Sequence, residues 1–231
     1  MATIEAKLHQ VRSRVAHACA TAGRPVRSVT LVAVSKTSPA AAVREAVVAG
    51  QRDFGESYVG EAIAKIAALD DLRAQLRWHL IGPLQSNKTS EAATAFDWVH
   101  SLDRLKIAQR LSDQRPSQLP PIDVCLQINI SGEASKSGVA PNEALPLARQ
   151  IAALPRLRLR GLMSIPEPTD DAAAQRRPHR ALRELFEVLN GHGLGLDTLS
   201  MGMSADLEAA VVEGATLVRV GSAIFGARPA R

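Results

Sequence analysis

Two rhythms of apolar residues alternate along the chain. Ile4, Leu8, Val11, Val15 and Ala18 recur at helical spacing until Gly23-Arg24-Pro25 ends the pattern. The run VTLVAVS at 29–35 is then continuously apolar and rich in β-branched residues, as a strand buried on both faces should be. Further strands are expected at 52–55, 78–82, 97–102, 122–130, 159–165, 196–200 and 216–221. Helical patterns fall between them. One is opened by Ser38-Pro39 and closed by Gly50, and others span about Val59 to Leu69, Lys88 to Ala95 and Asn142 to Leu154. Another carries Leu105, Ala108 and Leu111, and a later one puts Leu182, Leu185, Phe186 and Leu189 on one face. The last runs from Ala205 to Gly214.

Eight strands, each but the last followed by a clear helix, with one extra helix in front, predict an α/β chain with a parallel sheet. Eight repeats suggest closure into a (β/α)8 TIM-type barrel, with residues 1–231 as a single domain. A doubly wound open sheet is the alternative. Against it, no G-x-G-x-x-G follows the first strand, and GHGLG at 191–195 precedes a strand and reads as a turn.

Barrels of this kind place their chemistry at the C-terminal ends of the strands. Those ends offer Lys36, then Glu56-Ser57-Tyr58, His79 with Gly82, Ser101, Asn129 and Met163-Ser164. The final two offer Ser200-Met201-Gly202-Met203-Ser204 and Arg219 with Gly221-Ser222. Lys36 directly follows an apolar strand. Partial desolvation there lowers an amine's pKa and frees it as a nucleophile; a rim lysine that covers apolar surface is the other reading. The loops after strands seven and eight often hold phosphate. Here Gly202 and Gly221 allow close backbone approach, Ser200, Ser204 and Ser222 supply hydroxyls, and Ala205 is expected to begin a helix facing the anion. A lysine opposite a phosphate cradle suits pyridoxal phosphate, and equally an aldolase acting on a phosphorylated sugar. Arg219 would donate to a pyridine nitrogen and keep it unprotonated, or else pair with a buried carboxylate such as Glu56.

Composition narrows the classes. Of 231 residues, 46% are hydrophobic, enough for a full core. The net charge of +5 permits an anionic ligand without arguing for nucleic acid. Aromatics at 3% are too few for a base-stacking surface, and Arg156, Arg158 and Arg160, entering strand six, read as a solvated rim. Lysine chemistry has six candidates: Lys7, Lys36, Lys65, Lys88, Lys106 and Lys136. Those on helical stretches read as solvated stems. Cys19 and Cys125 form no C-x-x-C or Cys/His cluster, so neither a disulfide scaffold nor a metal site is expected. No apolar run is long enough for a membrane span, and MATIEAKLHQ lacks a signal peptide's apolar region, which predicts a cytoplasmic protein.

The segments VAVSKT, RDFGESYVGE, WHLIGPLQSNK, INISGEASKSG, RGLMSIP, SMGMSADLEAA and VRVGSAIFGAR occur in order between about residues 29 and 228. Together they resemble the motifs of the pyridoxal phosphate homeostasis protein family. The resemblance implies a barrel similar to the N-terminal domain of alanine racemase, with pyridoxal phosphate held as a reversible aldimine on Lys36. It implies a phosphate site at Ser200, Met201, Gly202, Ser204, Gly221 and Ser222, with Arg219 as the ring-nitrogen partner. It makes His79, Ile81, Asn129 and Met163 the pocket wall. Lys136 resembles a second lysine that the family carries after strand five, either a transfer or gating residue or a surface lysine. The family usually reads FGENY, whereas this chain has Ser57 in place of the asparagine, a shorter group expected to contact the cofactor less directly. The implied role is a non-catalytic carrier, expected to be a monomer, that shields the aldehyde and supplies it to apoenzymes that use it. An amino-acid racemase is the alternative. A two-base racemase needs an acid–base group on each face of its substrate. This chain has one tyrosine, Tyr58, and no room is expected for the second domain that supplies one in alanine racemase.

Overall fold

The computed structural model describes residues 2–132 and 137–226. Eight strands close on one another in chain order, and all neighbours are parallel. They are β1 (Thr30–Val34), β2 (Asp53–Glu56), β3 (Arg77–Leu80), β4 (Trp98–Leu102), β5 (Ile122–Gln127), β6 (Leu157–Met163), β7 (Thr198–Ser200) and β8 (Leu217–Val220). The pairing of β1 with β8, from Thr30 opposite Leu217 to Ala33 opposite Val220, closes the barrel and excludes the open sheet.

The apolar runs overshoot several of the ladders, and at two places a local reason is plain. The expected strand 122–130 stops at Gln127. Beyond it Ile128 makes a single bridge to Val139, and Asn129 turns the chain by accepting the Gly132 N–H at 3.1 Å. The expected strand 196–200 starts only at Thr198, because Leu196 bonds through both its N–H and its C=O to the side-chain amide of Asn190. In the other direction, β6 begins at Leu157, two residues before the expected start, where it pairs with Ile122.

Helices α2 (Ala40–Val48), α3 (Val59–Ala67), α4 (Thr89–Ala95), α5 (Leu105–Gln114), α6 (Ala144–Ala152), α7 (Ala172–Gly191) and α8 (Leu207–Val212) follow the first seven strands. Only the four-residue α9 (Ser222–Phe225) follows β8. The N-terminal helix α1 (Ile4–Thr21) fills the gap. Its stripe of Leu8, Val11, Val15, Ala18 and Cys19 is buried, and it packs against α2, α8 and α9, where an eighth helix would lie. Arg14 ties it to Glu208 and to the Ser204 carbonyl; just past the helix, Arg24 reaches the carbonyls of Val211 and Ala215. No helix among the described residues is long and apolar enough to cross a membrane.

The main core lies between strands and helices, around Phe54, Trp78, Leu80 and Phe96. The barrel lumen differs. Successive strand residues point to opposite faces, and the inward set here includes Asp53, His79, His100, Ser200 and Arg219, all buried. Barrels of this type more often fill the lumen with branched apolar side chains.

Candidate functional site

A cavity of about 490 Å³ opens among the C-terminal ends of the strands. Lys36 and Thr37 at the end of β1, Ser57 after β2, Ile81 after β3, Ile165 after β6, and the loops after β7 and β8 line it. Among the described residues its charged lining groups are Lys36 and Arg219, both cations, and no carboxylate faces it.

Lys36 sits in a strained turn. Thr37 has φ 64°, the one positive value at a non-glycine residue among those described. A left-handed residue with a Cβ costs about 1–2 kcal/mol, so something must hold it. The Thr37 N–H donates to Glu61 Oε1 at 2.6 Å. The same oxygen accepts from Lys65 Nζ at 3.0 Å, and Lys65 also donates to the Ser35 carbonyl and to Glu56 Oε1, each at 2.7 Å. The Ser35 hydroxyl donates to Glu56 Oε1 at 2.6 Å. Both neighbours of Lys36 are therefore tied to one buried cluster on β2 and α3. Lys65, expected to be a solvated helical lysine, is only 6% exposed, because α3 turns it inward onto two carboxylates. Burial raises the Glu56 carboxyl, and the hydrogen bonds from Lys65 and Ser35 offset this only in part.

This cluster also decides the partner of Arg219. Glu56 bonds to Lys65 and Ser35, so the ion pair considered for Arg219 does not form. Arg219 instead donates to Ser200 Oγ at 2.6 Å and to the Ser164 carbonyl at 2.8 Å. Burial lowers its guanidinium to about 10, a shift that nearby Asp206 opposes. It therefore stays charged at neutral pH.

The loop after β7 is shaped from behind. Gly202 has φ 91°, and a Cβ there would lie 2.5 Å from the Ala210 Cβ, so packing onto α8 by itself requires glycine there. Asp206 accepts the Met203 N–H at 2.6 Å and bonds His179 of α7 at 3.0 Å. Burial would raise the Asp206 carboxyl, but these two hydrogen bonds outweigh it and hold it low. This capping turn delays α8 to Leu207, past the expected start at Ala205. At the cavity, Ser204 Oγ and Ser222 Oγ stand 3.4 Å apart, one from each loop.

Seven of the sequence candidates thus share the cavity: Lys36, Ser57, Ile81, Ser204, Arg219, Gly221 and Ser222. Ser200 lies behind Arg219, Met201 belongs to the core outside the barrel, and Met163 is buried in β6. The Asn129 side chain accepts from Ser131 Oγ and the Gly132 N–H of its own loop. Lys136 lies outside the described residues. Ile165 and Phe225, which the sequence did not single out, supply apolar wall together with Met203. Ile165 is 43% exposed, an unusual state for an isoleucine directly after a buried strand.

Residues 7–229 match the family model described as alanine racemase, N-terminal domain. The pyridoxal phosphate homeostasis protein of Pseudomonas aeruginosa is 61% identical over 228 residues, covering 99% of this chain and 97% of the relative. The protein of the same name from Escherichia coli K12 is 52% identical, covering 99% and 98%. The chain belongs to the pyridoxal phosphate homeostasis protein family. Among solved structures, PipY of Synechococcus elongatus with pyridoxal phosphate bound is 40% identical with a TM-score of 0.84, over 97% of this chain and all of PipY. Alanine racemase from Corynebacterium glutamicum shares the fold at 19% identity, with a TM-score of 0.70 over 97% of this chain and 62% of the racemase.

In this member of the pyridoxal phosphate homeostasis protein family, backbone packing sets Ser57. A Cβ on Gly82 would fall 2.3 Å from the Ser57 carbonyl oxygen, so the ends of β2 and β3 meet only because residue 82 is glycine. His79 is displaced from its expected place. It lines a second cavity of about 490 Å³ at the N-terminal end of the barrel, because it stands one inward-facing position below Ile81 at the upper rim. That lower cavity holds the arginines of β6. Arg158 pairs with Asp123, and Arg160 pairs with Asp123 and Asp197 while stacking over Trp98 at 5.1 Å. Arg156 bonds the carbonyls of Pro116 and Leu119. Each of the three is thus held by acceptors of the fold itself.

Proposed function

We propose that the upper cavity holds pyridoxal phosphate, and that the whole chain, acting as one cytoplasmic domain and a monomer, stores it and supplies it to apoenzymes without turnover of its own. The observation that carries this reading is the charge of the lining: two cations, two facing hydroxyls and no carboxylate among the described residues. That donor set fits an anion bearing an aldehyde. When bound, the group supplies an aldehyde that a lysine amine captures reversibly. Lys36 is the amine, held in its turn by Glu61 and Lys65. Ser204 and Ser222 donate to the phosphate, with Gly221 beside them. Arg219 donates toward the ring nitrogen and, as a permanent cation, does not give that nitrogen its proton. Ser57 and Ile81 form the wall. Ser200, Met201, Gly202, Met163, Asn129 and His79 support the site from behind and below.

The racemase reading is the weaker one. Tyr58 is half exposed at the start of α3 and is not among the residues lining the cavity, so it does not supply an acid–base group opposite Lys36. Borohydride reduction of the loaded protein, followed by peptide mapping across all six lysines, should put the pyridoxyl label on Lys36. Label confined to Lys136 would move the site, and no label at all would overturn the ligand. Incubation with L-alanine in deuterated water should give no deuterium at Cα above background; enzymatic incorporation would overturn the carrier role.

A further inference from the structure

The lumen connects the two cavities. Arg219 donates to Ser200 Oγ at 2.6 Å, Ser200 Oγ meets His100 Nδ1 at 2.7 Å, and His100 Nε2 meets His79 Nδ1 at 2.9 Å. His79 Nε2 meets Asp53 Oδ1 at 3.1 Å, and Arg77 closes the lower end by bonding Asp53. Ser200 and His100 are fully buried, and His79, Arg219 and Asp53 are 1%, 3% and 7% exposed. Arg219 faces the upper cavity, while His79 and Asp53 face the lower one.

With both imidazoles in the neutral state, the ends of this series fix its direction. An arginine only donates and a carboxylate only accepts. Ser200 therefore accepts from Arg219 and gives its single proton to His100 Nδ1. His100 is then neutral with its proton on Nε2, which it donates to His79 Nδ1. His79 in turn carries its proton on Nε2 and donates to Asp53. Burial, His79 and Arg219 all push the His100 imidazolium well below the ordinary histidine range, in keeping with a neutral ring. Burial would raise the Asp53 carboxyl, but the bonds from His79 and Arg77 hold it low, in keeping with an anion.

We propose that Asp53, His79, His100 and Ser200 are positioning residues for Arg219, forming a one-way hydrogen-bond relay that couples the protonation state of the lower cavity to the guanidinium in the ligand pocket. A proton added at His79 reverses the relay. His79 Nδ1 then donates to His100 Nε2, the His100 proton moves to Nδ1, and Ser200 must accept from both His100 and Arg219 and turn its own proton elsewhere. The groups that face His79 set this balance: Asp53 on β2, Arg77 on β3, Trp98 and His100 on β4, Asp123 on β5, Arg158 and Arg160 on β6, and Asp197 just before β7. The link from Arg219 to pyridoxal phosphate rests on the function proposed above; the relay itself does not.

Nitrogen-15 histidine spectra of the ligand-free wild-type protein at neutral pH test the relay without any variant. Both His79 and His100 should be neutral Nε2–H tautomers. An Nδ1–H tautomer or an imidazolium at either position would overturn it, even if Lys36 takes the pyridoxyl label. Correct tautomers with no label on Lys36 would instead overturn the ligand and leave the relay standing. The dissociation constant for pyridoxal phosphate should rise more steeply in the wild type than in His79→Gln as pH falls from about 8 to 5, the dependence common to both belonging to the lysine amine and the ligand phosphate. His100→Phe should weaken binding about tenfold at neutral pH, the loss expected for one hydrogen bond in a charged series. Equal pH profiles in wild type and His79→Gln would sink the coupling.

Discussion

Lys65 holds its charge between β2 and α3 with three acceptors around it, and this arrangement makes it fragile to substitution. Lys65→Met removes the cation and leaves Glu56 buried with no ionic partner. Breaking a buried pair from one side costs about 3–5 kcal/mol, whereas replacing both partners by apolar groups is often close to neutral. Denaturant unfolding should therefore show a large loss for Lys65→Met and partial recovery for Lys65→Met with Glu56→Leu. Equal losses in the single and double variants would contradict the pairing. Lys36 was legible because a polar residue directly after an apolar strand is conspicuous. Lys65 was not, because its neighbours in sequence form an ordinary amphipathic helix. The carboxylate that draws it inward, Glu56, comes from the preceding strand, and periodicity within one helix carries no sign of that. His79 was misplaced for a related reason: a motif marks a residue as part of a site without saying at which height in the barrel it stands.

The loop between β7 and α8 is set by its back, where Gly202 meets Ala210 and Asp206 bonds His179 and Met203. Gly202→Ala adds a left-handed alanine, costing about 1–2 kcal/mol, and an overpacked contact, costing about 1–3 kcal/mol. A combined loss of about 2–5 kcal/mol is expected from denaturation midpoints. Adding Ala210→Gly should return the contact part and not the backbone part. Strands and helices were legible here in number, order and type, because the period changes cleanly between them. Their ends were less so. Asn190 takes the Leu196 N–H away from a ladder and Asp206 draws the Met203 N–H into a turn ahead of α8, and such captures depend on which side chains the fold brings close.

Acid stability follows from the whole set of paired carboxylates. Asp53, Asp197, Asp206 and Glu213 are held below their ordinary values, in each case because hydrogen bonds from His or Arg outweigh the effect of burial. A group with a depressed folded value contributes stability above its unfolded value, near pH 4, and loses it as pH falls through the folded one. Glu56 runs the other way: its raised carboxyl costs stability at neutral pH, and that cost eases on acidification. With Asp71 and Glu208, likewise held low by hydrogen bonds from Arg44 and Arg14, six lowered groups against one raised predict a melting temperature nearly constant from about pH 7 to 5 and falling below about pH 4. A melting temperature that rose into that acid range would show that the pairs at Asp53, Asp197, Asp206 and Glu213 do not hold. The closed barrel was readable from the count of eight strands. Its polar lumen was not, since inward and outward residues of a strand buried on both faces look alike in a single sequence.

The placement of α1 has a consequence for synthesis. Arg14 and Glu208, which join α1 to α8, stand 194 residues apart, so α1 leaves the ribosome long before the helix it docks against. At roughly 5–20 residues per second, its apolar stripe waits on the order of ten to forty seconds for β8 to arrive and the barrel to close. During that interval the nascent chain displays a helix face built for burial. The moment of greatest exposure to aggregation, and of greatest use for a chaperone, therefore comes before β8 has been made.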